Sequence, residues 1–467
     1  MAKHKLEMDF IIIGVSYYLS IFDTLKATRL SRGLNQQVHA KSIKTCVCRS
    51  PHQKKQIALK FPKWSFFAKI DTIEEFNSWN PLRTIGLQAR FKFHGDLKNF
   101  PQLIDLDIHL LTSVTNNHLQ HLTKLTRLSF SENSVSGDII LPPTINQLEL
   151  PDWNNKINPN MLTRLTTLTN LSYYSRALTE TDLKIHKNTL RRLTIYGAPL
   201  PIIRFSSVPL LTHFHSDCGA IEFSKNDDVK NLLSLHCETI FGLHHVQLTG
   251  LKYFKINDFY IKDINAMGLT SLTKLVYPNS STKDSATLAD SIKLKALQCE
   301  RGMLSSFKTP SLTSLALRKY TDIYYKDVLS SFTQIVQLSI CLNYSADTTP
   351  LFSLTNLTNL EAHSDFPDMN KNKFLCSHFS KLIHLSLENI FVEEKALGTM
   401  IKLQSLILKG WGTSISLKDI SNLTNLVILS IDELKCDRDS LSRIFPNLET
   451  FSGIGRSFDY RNFELPD

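Results

Sequence analysis

The segment LTNLTNLEA (354–362) decides the fold, because its leucines recur at three-residue steps and the last one starts an alternating pair. The same phrase returns as LTKLTRLSF (122–130), LTRLTTLTNLSY (162–173), LTSLTKLVY (269–277) and LTNLVILSI (423–431). Each copy reads L-x-x-L-x-x-L-x-Φ, where Φ is apolar. A phrase that returns at a fixed period indicates a repeat architecture, in which each unit buries its apolar face against its neighbours.

Weaker copies of this phrase fill the intervals between the five strong ones. The last apolar residue before each x-Φ pair serves as the anchor of its unit, and successive anchors lie 18 to 25 residues apart. The eighteen anchors are Ile85, Leu106, Leu128, Leu148, Leu171, Leu193, Phe214, Leu235, Phe254, Leu275, Leu297, Leu315, Leu338, Leu360, Leu385, Leu406, Leu429 and Phe451. We therefore predict about eighteen irregular units between residues 80 and 455.

The L-x-Φ step alternates with a period of two, as a short strand does when one of its faces is buried. The preceding L-x-x-L steps predict a turn or a short helix that returns the chain to the next strand. Threonines within these steps are expected to bond backbone groups in the turns. Segments 325–332 and 391–400 are long enough for true helices.

These repeats resemble the leucine-rich-repeat family. The resemblance implies an α/β solenoid, with a curved parallel sheet on the concave side and turns or short helices on the convex side. It also implies an asparagine after the strand that bonds carbonyl groups, and Asn133 and Asn343 would occupy that place. Ala198, Asp217 and Trp411 replace it in other units.

Residues 1–45 do not follow the repeat and are predicted to form helices. Their pattern is similar to an F-box, with Leu6 in front, a Tyr18-Leu19 pair closing the first helix and a Leu30-Ser31 step into a third. The resemblance implies that this head binds a Skp-type adaptor through an apolar patch. The expected patch residues are Ile12, Tyr18, Leu19 and Leu25. The alternative is a helical cap that packs these side chains onto the first repeats, near Ile85 and Leu87.

Three further boundaries complete the predicted organisation. Residues 46–79 form a basic connecting segment, residues 80–455 the solenoid and residues 456–467 a C-terminal tail. Residues 1–80 hold 13 Lys and Arg against 6 Asp and Glu, whereas the whole chain holds 53 against 43. The repeats are thus nearly neutral, which argues against nucleic-acid binding because such binders carry a basic stripe on the main surface.

The register also predicts the side chains that the concave face would present to a partner protein. Neighbouring strands lie about 4.8 Å apart, so His215 is expected beside His236, and Asp217 beside Glu238. This polar cluster suits a basic or hydroxylated partner segment. The alternatives are a solvated face without a partner, or a metal held by His215 and His236. The predicted partner-binding residues are Arg192, Tyr196, His213, His215, Asp217, His236, Glu238, Tyr253 and Asn257.

No motif for catalysis or for a cofactor occurs in the chain, and Cys46-x-Cys48 lacks the spacing of a zinc site. The longest charge-free run near the start, Phe10 to Phe22, is too short to span a membrane. Scattered single cysteines favour a reducing compartment. We therefore predict a cytoplasmic, non-enzymatic protein-binding module without a cofactor.

The finer prediction is the substrate receptor of a cullin-type ubiquitin ligase, with the target on the concave face. The alternatives are a stand-alone intracellular scaffold or regulator, and a secreted or surface adhesion protein.

Overall fold

A computed structural model shows two compact units, Met1–Gly219 and Ala220–Asp467. Each unit contains a parallel sheet that receives one strand from each repeat. The structure describes residues 45–48, 65–70, 84–92, 97–110, 116–130, 139–150, 159–174, 180–196, 202–217, 220–256, 268–277, 293–299, 311–321, 329, 332–342, 349–364, 378–390, 392, 394–410, 415–432, 434, 438–453 and 456–459.

The sheet of the first unit runs in chain order. Its strands are β1 (Thr45–Cys48), β2 (Ser65–Ile70), β3 (Thr84–Lys92), β4 (Asp105–Leu110), β5 (Arg127–Phe130), β6 (Gln147–Leu150), β7 (Asn170–Tyr174), β8 (Arg192–Tyr196) and β10 (His213–Ser216). The short β9 (Ile203–Arg204) lies outside this order. Each strand pairs in parallel with the next, so the leucines in register form one buried row.

The second unit repeats this arrangement. Its sheet contains β12 (Ser234–Cys237), β14 (Tyr253–Ile256), β15 (Lys274–Tyr277), β16 (Ala296–Cys299), β17 (Ser314–Thr321), β18 (Gln337–Leu342), β19 (Asn359–Ser364), β20 (His384–Glu388), β21 (Ser405–Lys409), β22 (Ile428–Ile431), β23 (Thr450–Gly453) and β24 (Arg456–Asp459). All pair in parallel except β24, which runs antiparallel to β23. A separate parallel pair joins β11 (Ala220–Glu222) and β13 (Thr239–Phe241).

The predicted anchors occupy equivalent places within each unit. Leu128 is in register with Leu148, and Leu360 with Leu385, and all four are at most 2% exposed. The exception is Ile85, because Leu87 rather than Ile85 is in register with Leu106. Ile85 is the second residue of β3, where its carbonyl accepts the Ile104 N–H at 2.7 Å. The true L-x-Φ pair is Leu87 and Ala89. The sequence pattern did not indicate it, because alanine is a small side chain at the Φ position.

The L-x-x-L steps are tight turns, as predicted. The N–H of Leu125 donates to the Leu122 carbonyl at 3.0 Å, and the N–H of Leu122 donates to Leu119 at 2.9 Å. A three-residue bond of this kind places every third side chain on the same side of the backbone. Each leucine of the step is therefore buried behind the strand.

The helices in the described residues are short. They are α1 (Asn116–Leu119), α2 (Glu180–Lys184), α3 (Glu394–Leu397), α4 (Leu417–Ile420) and α5 (Arg438–Ile444), with 3-10 turns at Leu97–Asn99, Pro159–Arg164, Phe205–Ser207, Leu243–His245 and Thr349–Ser353. The predicted helix at 391–400 is thus a single turn, α3. None of the described helices has the length and apolarity that a bilayer crossing requires.

Strands also lie beyond the predicted limits of the solenoid. β1 and β2 extend the first sheet back through the segment 46–79, expected to be a connection, to Thr45 at the end of the predicted head. β24 falls in the expected C-terminal tail. Neither β1 nor β2 follows an L-x-x-L step, so the repeat pattern does not mark them. Several predicted features lie outside the described residues. These are residues 1–44, Asn133, Asn343 and most of 325–332.

Candidate functional site

The open face is the face of each sheet that points away from the buried leucines. Alternation places on it the residue before each anchor and the residue after it, as the exposed Gln147 and half-buried Glu149 show around Leu148. In the first unit these positions are Gly86, Gln88, Asp105, Asp107, Arg127, Ser129, Gln147, Glu149, Asn170, Ser172, Arg192, Thr194, His213 and His215.

An ion pair joins two neighbouring strands on this face. Asp105 of β4 and Arg127 of β5 are in register, and the Arg127 Nη1 atom lies 3.1 Å from Asp105 Oδ2. Burial raises the pKa of Asp105, while the Arg127 charge and hydrogen bond oppose this shift and Asp107 adds to it. The guanidinium therefore helps to keep a partly desolvated carboxylate ionised.

Two further hydrogen bonds tie side chains across strands. The Gln88 amide donates to Asp107 at 2.9 Å, and the buried Ser129 hydroxyl donates to Glu149 at 3.3 Å. Each carboxylate is thus held by a residue of the preceding strand. A surface whose side chains are held in this way loses less conformational entropy when a partner binds.

An aromatic group lies at the end of β8. The Tyr196 and His215 rings have centroids 5.5 Å apart and planes tilted by 52°. His215 Nε2 lies 3.2 Å from Asp217 Oδ1, so the imidazole links the phenol ring to a carboxylate. Burial raises the pKa of Tyr196, and the charges of Glu149 and Asp217 raise it further. Tyr196 therefore stays a neutral hydroxyl donor near neutral pH.

His213 lies in register with Arg192 on the adjacent strand. Burial lowers the pKa of His213, and the Arg192 charge lowers it further. The Thr212 hydroxyl lies 2.9 Å from His213 Nδ1, which fixes the orientation of the ring. The sequence thus placed Arg192, Tyr196, His213, His215 and Asp217 together correctly, whereas their binding role stays a prediction.

The remaining predicted residues belong to the second unit. His236 is only 3% exposed, so little of its side chain is accessible to a partner, and its binding role stays a prediction. Alternation fixes the face to which a side chain points, but neighbouring side chains decide how far it is covered. Glu238 is exposed directly after β12, and Tyr253 is half-buried at the start of β14.

The other predicted residues lie outside the described part of the chain. These are Asn257 and the adaptor-binding set Ile12, Tyr18, Leu19 and Leu25. The metal role considered for His215 with His236 stays a hypothesis.

Sequence reasoning missed the charged half of the first unit's open face, namely Asp105, Asp107, Arg127 and Glu149. The signal was present, because these residues flank Leu106, Leu128 and Leu148 at the same offsets as His213 and His215 flank Phe214. Applying the register to every strand would have found them.

Comparisons with known proteins place the chain near solved structures only at low similarity. The mouse RP105/MD-1 complex matches 78% of this chain and 71% of its own, at 15% identity and a TM-score of 0.48. The match to the TLR13–ssRNA13 complex covers 88% of this chain and 77% of the TLR13 chain, at 13% sequence identity and a TM-score of 0.48. The match to CroV588, a circular LRR protein, covers 88% of this chain and 66% of CroV588, at 17% sequence identity and a TM-score of 0.45.

No protein-family model matches the chain, and no curated protein matches it. These solved structures are too distant from the chain in sequence and in superposition to indicate its function. The function is therefore inferred from the geometry of the open face.

Proposed function

We propose that this protein is a non-enzymatic module that binds a partner protein on the open face of its parallel sheets. The observation that carries this proposal is the set of polar side chains already held across strands in the first unit. Arg127 with Asp105, Gln88 with Asp107, and His215 with Asp217 and Tyr196 form fixed donors and acceptors on one surface. An extended sheet face of this kind suits another polypeptide better than a small substrate, which favours a concave pocket.

A photo-crosslinking residue introduced at single positions tests this proposal. Gln147 is exposed on the open face, whereas His121 is equally an exposed residue but lies in the connection before β5. We expect the full chain carrying the crosslinker at Gln147 to capture a discrete partner in native cells, and the matched His121 variant to capture none. Equal capture from both positions, or capture from His121 alone, would contradict the open face as the binding surface.

We further propose that residues 6–40 bind a Skp-type adaptor, which would make the protein the substrate receptor of a cullin-type ubiquitin ligase. The support is the F-box-like pattern of that segment. Leu19→Asp should abolish co-purification of the adaptor, while the thermal unfolding of the repeats stays unchanged. Retention of the adaptor by Leu19→Asp, or no adaptor with the unsubstituted chain, would leave a stand-alone scaffold with a helical cap.

We also propose a cytoplasmic location. Cys237 is a buried free thiol, which supports a reducing compartment over a secreted adhesion protein. Fractionation of native cells tests this, because an extracellular protein would be recovered in the medium or at the cell surface.

A further inference from the structure

Positive charge exceeds negative charge in one part of the second unit. Between Leu243 and Leu360 the sequence holds 12 Lys and Arg against 8 Asp and Glu, and all eight acidic residues lie outside the described residues. The lysines with described side chains are Lys252, Lys255, Lys274, Lys293 and Lys295. The next described carboxylates along the chain are Glu361 of β19 and Glu388 of β20. The first unit differs, because its open face carries Asp105, Asp107 and Glu149.

Two of these lysines lie on the open face of adjacent strands. Lys255 of β14 is in register with Val276 of β15, and Lys274 of β15 is in register with Tyr253 of β14. Neighbouring strands lie about 4.8 Å apart, so the two ammonium groups lie within reach of one extended peptide. Lys255 is half-buried and Lys274 is exposed, so a partner can reach both ammonium groups.

A second pair of lysines borders the same face. Lys252 and Lys295 are exposed immediately before β14 and β16. Thr273 connects them, because its N–H donates to the Lys252 carbonyl at 2.9 Å and its own carbonyl accepts the Lys295 N–H at 2.9 Å. The hydrogen-bonded turns thus hold these two lysines at the edge of the sheet next to Lys274.

Tyr253 supplies an aromatic surface within this group of lysines. The Lys274 Nζ atom lies 5.5 Å from the centre of the Tyr253 ring, which fixes the ammonium above the ring. Burial raises the pKa of Tyr253, so the phenol keeps its proton and can donate it in a hydrogen bond. A carboxylate that pairs with Lys274 would therefore find a second donor nearby.

Most of the neighbouring open-face side chains are small. Val276 is 3% exposed, and Ala296 and Gln298 follow on β16, and Ser314 and Ala316 on β17. A long lysine among such residues rests its methylene groups on the sheet and extends its charge into solvent. The result is a shallow surface of small and polar side chains bordered by cations.

We propose that the open face of β14–β17, bordered by Lys252, Lys255, Lys274 and Lys295, binds an acidic extended segment of a partner protein. The proposal rests on the proposed function, since that function makes the open face the partner surface. Charge complementarity selects a segment rich in Asp and Glu. A nucleic acid is less favoured, because its binders combine a longer basic stripe with several stacking aromatics.

Fluorescence anisotropy with three defined probes tests the proposal on the full chain. The probes are dodecamers of glutamate, of lysine and of single-stranded deoxythymidine. We expect the glutamate peptide to bind, the lysine peptide not to bind, and affinity for glutamate to fall as salt screens the charges. Tighter binding of the oligonucleotide than of the glutamate peptide would overturn the proposal in favour of nucleic acid.

Two matched variants show whether the binding is local. Lys255→Glu with Lys274→Glu should weaken glutamate binding by about tenfold or more, because each lost ammonium removes a charge-assisted contact. Lys402→Glu with Lys418→Glu changes the net charge equally at described positions outside this face, so it should leave affinity within about twofold. Equal losses in both variants would mean non-specific attraction and would overturn the proposal.

The outcomes separate this proposal from the proposed function. If the glutamate peptide fails to bind while the crosslinker at Gln147 still captures a partner, the acidic-segment proposal is wrong and the binding module stands. If neither assay detects a partner, both proposals are wrong. All four substituted lysines are at least partly exposed, and unfolding curves would confirm that the variants stay folded.

Discussion

The hydroxyl of Thr126 donates to the carbonyl of Ile104 at 3.0 Å, although that carbonyl already accepts the N–H groups of Thr126 and Arg127. The Ile104 carbonyl oxygen thus accepts three hydrogen bonds from the following unit. The same arrangement recurs at Thr169, Thr212, Thr273, Thr313 and Thr358. It explains the threonine that precedes the strand in these units and confirms that this threonine bonds a backbone group.

Removing one of these hydroxyls should cost little stability. We expect Thr126→Val to lower the free energy of unfolding by about 0.5–1.5 kcal/mol, because the Ile104 carbonyl keeps two N–H donors. Valine preserves the branched shape, so packing should be unaffected. The midpoint of urea unfolding measures the change, provided that the slope stays constant.

Val427 provides the reciprocal test, since its N–H donates to the Gln404 carbonyl at 2.7 Å but it has no hydroxyl. Val427→Thr should not destabilise the second unit. A large loss there would contradict this account of the threonines.

Truncating an anchor should cost much more. Leu297 is 2% exposed and lies in register between Leu275 and Leu315. Leu297→Ala should lower the free energy of unfolding by about 2–5 kcal/mol, because it leaves a cavity in the leucine row. Gln298→Ala, at the next position on the open face, should stay within about 0.5 kcal/mol. Similar losses for the two variants in chemical denaturation would show that the row of leucines is not the main source of stability.

The pKa of Asp105 should respond in opposite directions to two substitutions. Arg127→Gln removes the opposing charge and should raise the pKa of Asp105, whereas Asp107→Asn removes a like charge and should lower it. Carboxyl NMR titration measures both shifts. A lack of change in Arg127→Gln would mean that the 3.1 Å ion pair does not persist in solution.

His213 should make the stability of the first unit pH-dependent. Its pKa is lower in the folded protein than the ordinary value of 6.5, so folding favours the neutral ring. The resulting stability is fully present above about pH 6.5 and is lost as pH falls through the lowered folded pKa. His213→Gln should therefore lose less stability than the unsubstituted protein between about pH 7.5 and 5.

NMR titration of the imidazole supplies the control for this pH dependence. Arg192→Gln should raise the pKa of His213 toward its ordinary value, because it removes the neighbouring positive charge. If the pH dependence is the same with and without His213, another group is responsible.

The repeat was predictable because burial in a stack imposes a strict pattern on every unit. The L-x-x-L steps and the L-x-Φ pair are local signals, so they identified the strands, the turns and the buried rows from Leu106 to Phe214 and from Leu235 to Phe451. The pattern failed at Ile85, because Ile85 and Leu87 form a false L-x-Φ pair two residues before the true one. It also missed β1 and β2, which lack the leucine steps.

The sequence by itself determined which side chains point to the open face, because that depends only on alternation along each strand. Only the tertiary structure decided what those side chains do there. It buried His236, paired Arg127 with Asp105, and set Lys274 over Tyr253. These outcomes depend on side chains that are about 20 residues apart in the chain but lie in adjacent strands, and their distances follow from register and packing rather than from local pattern.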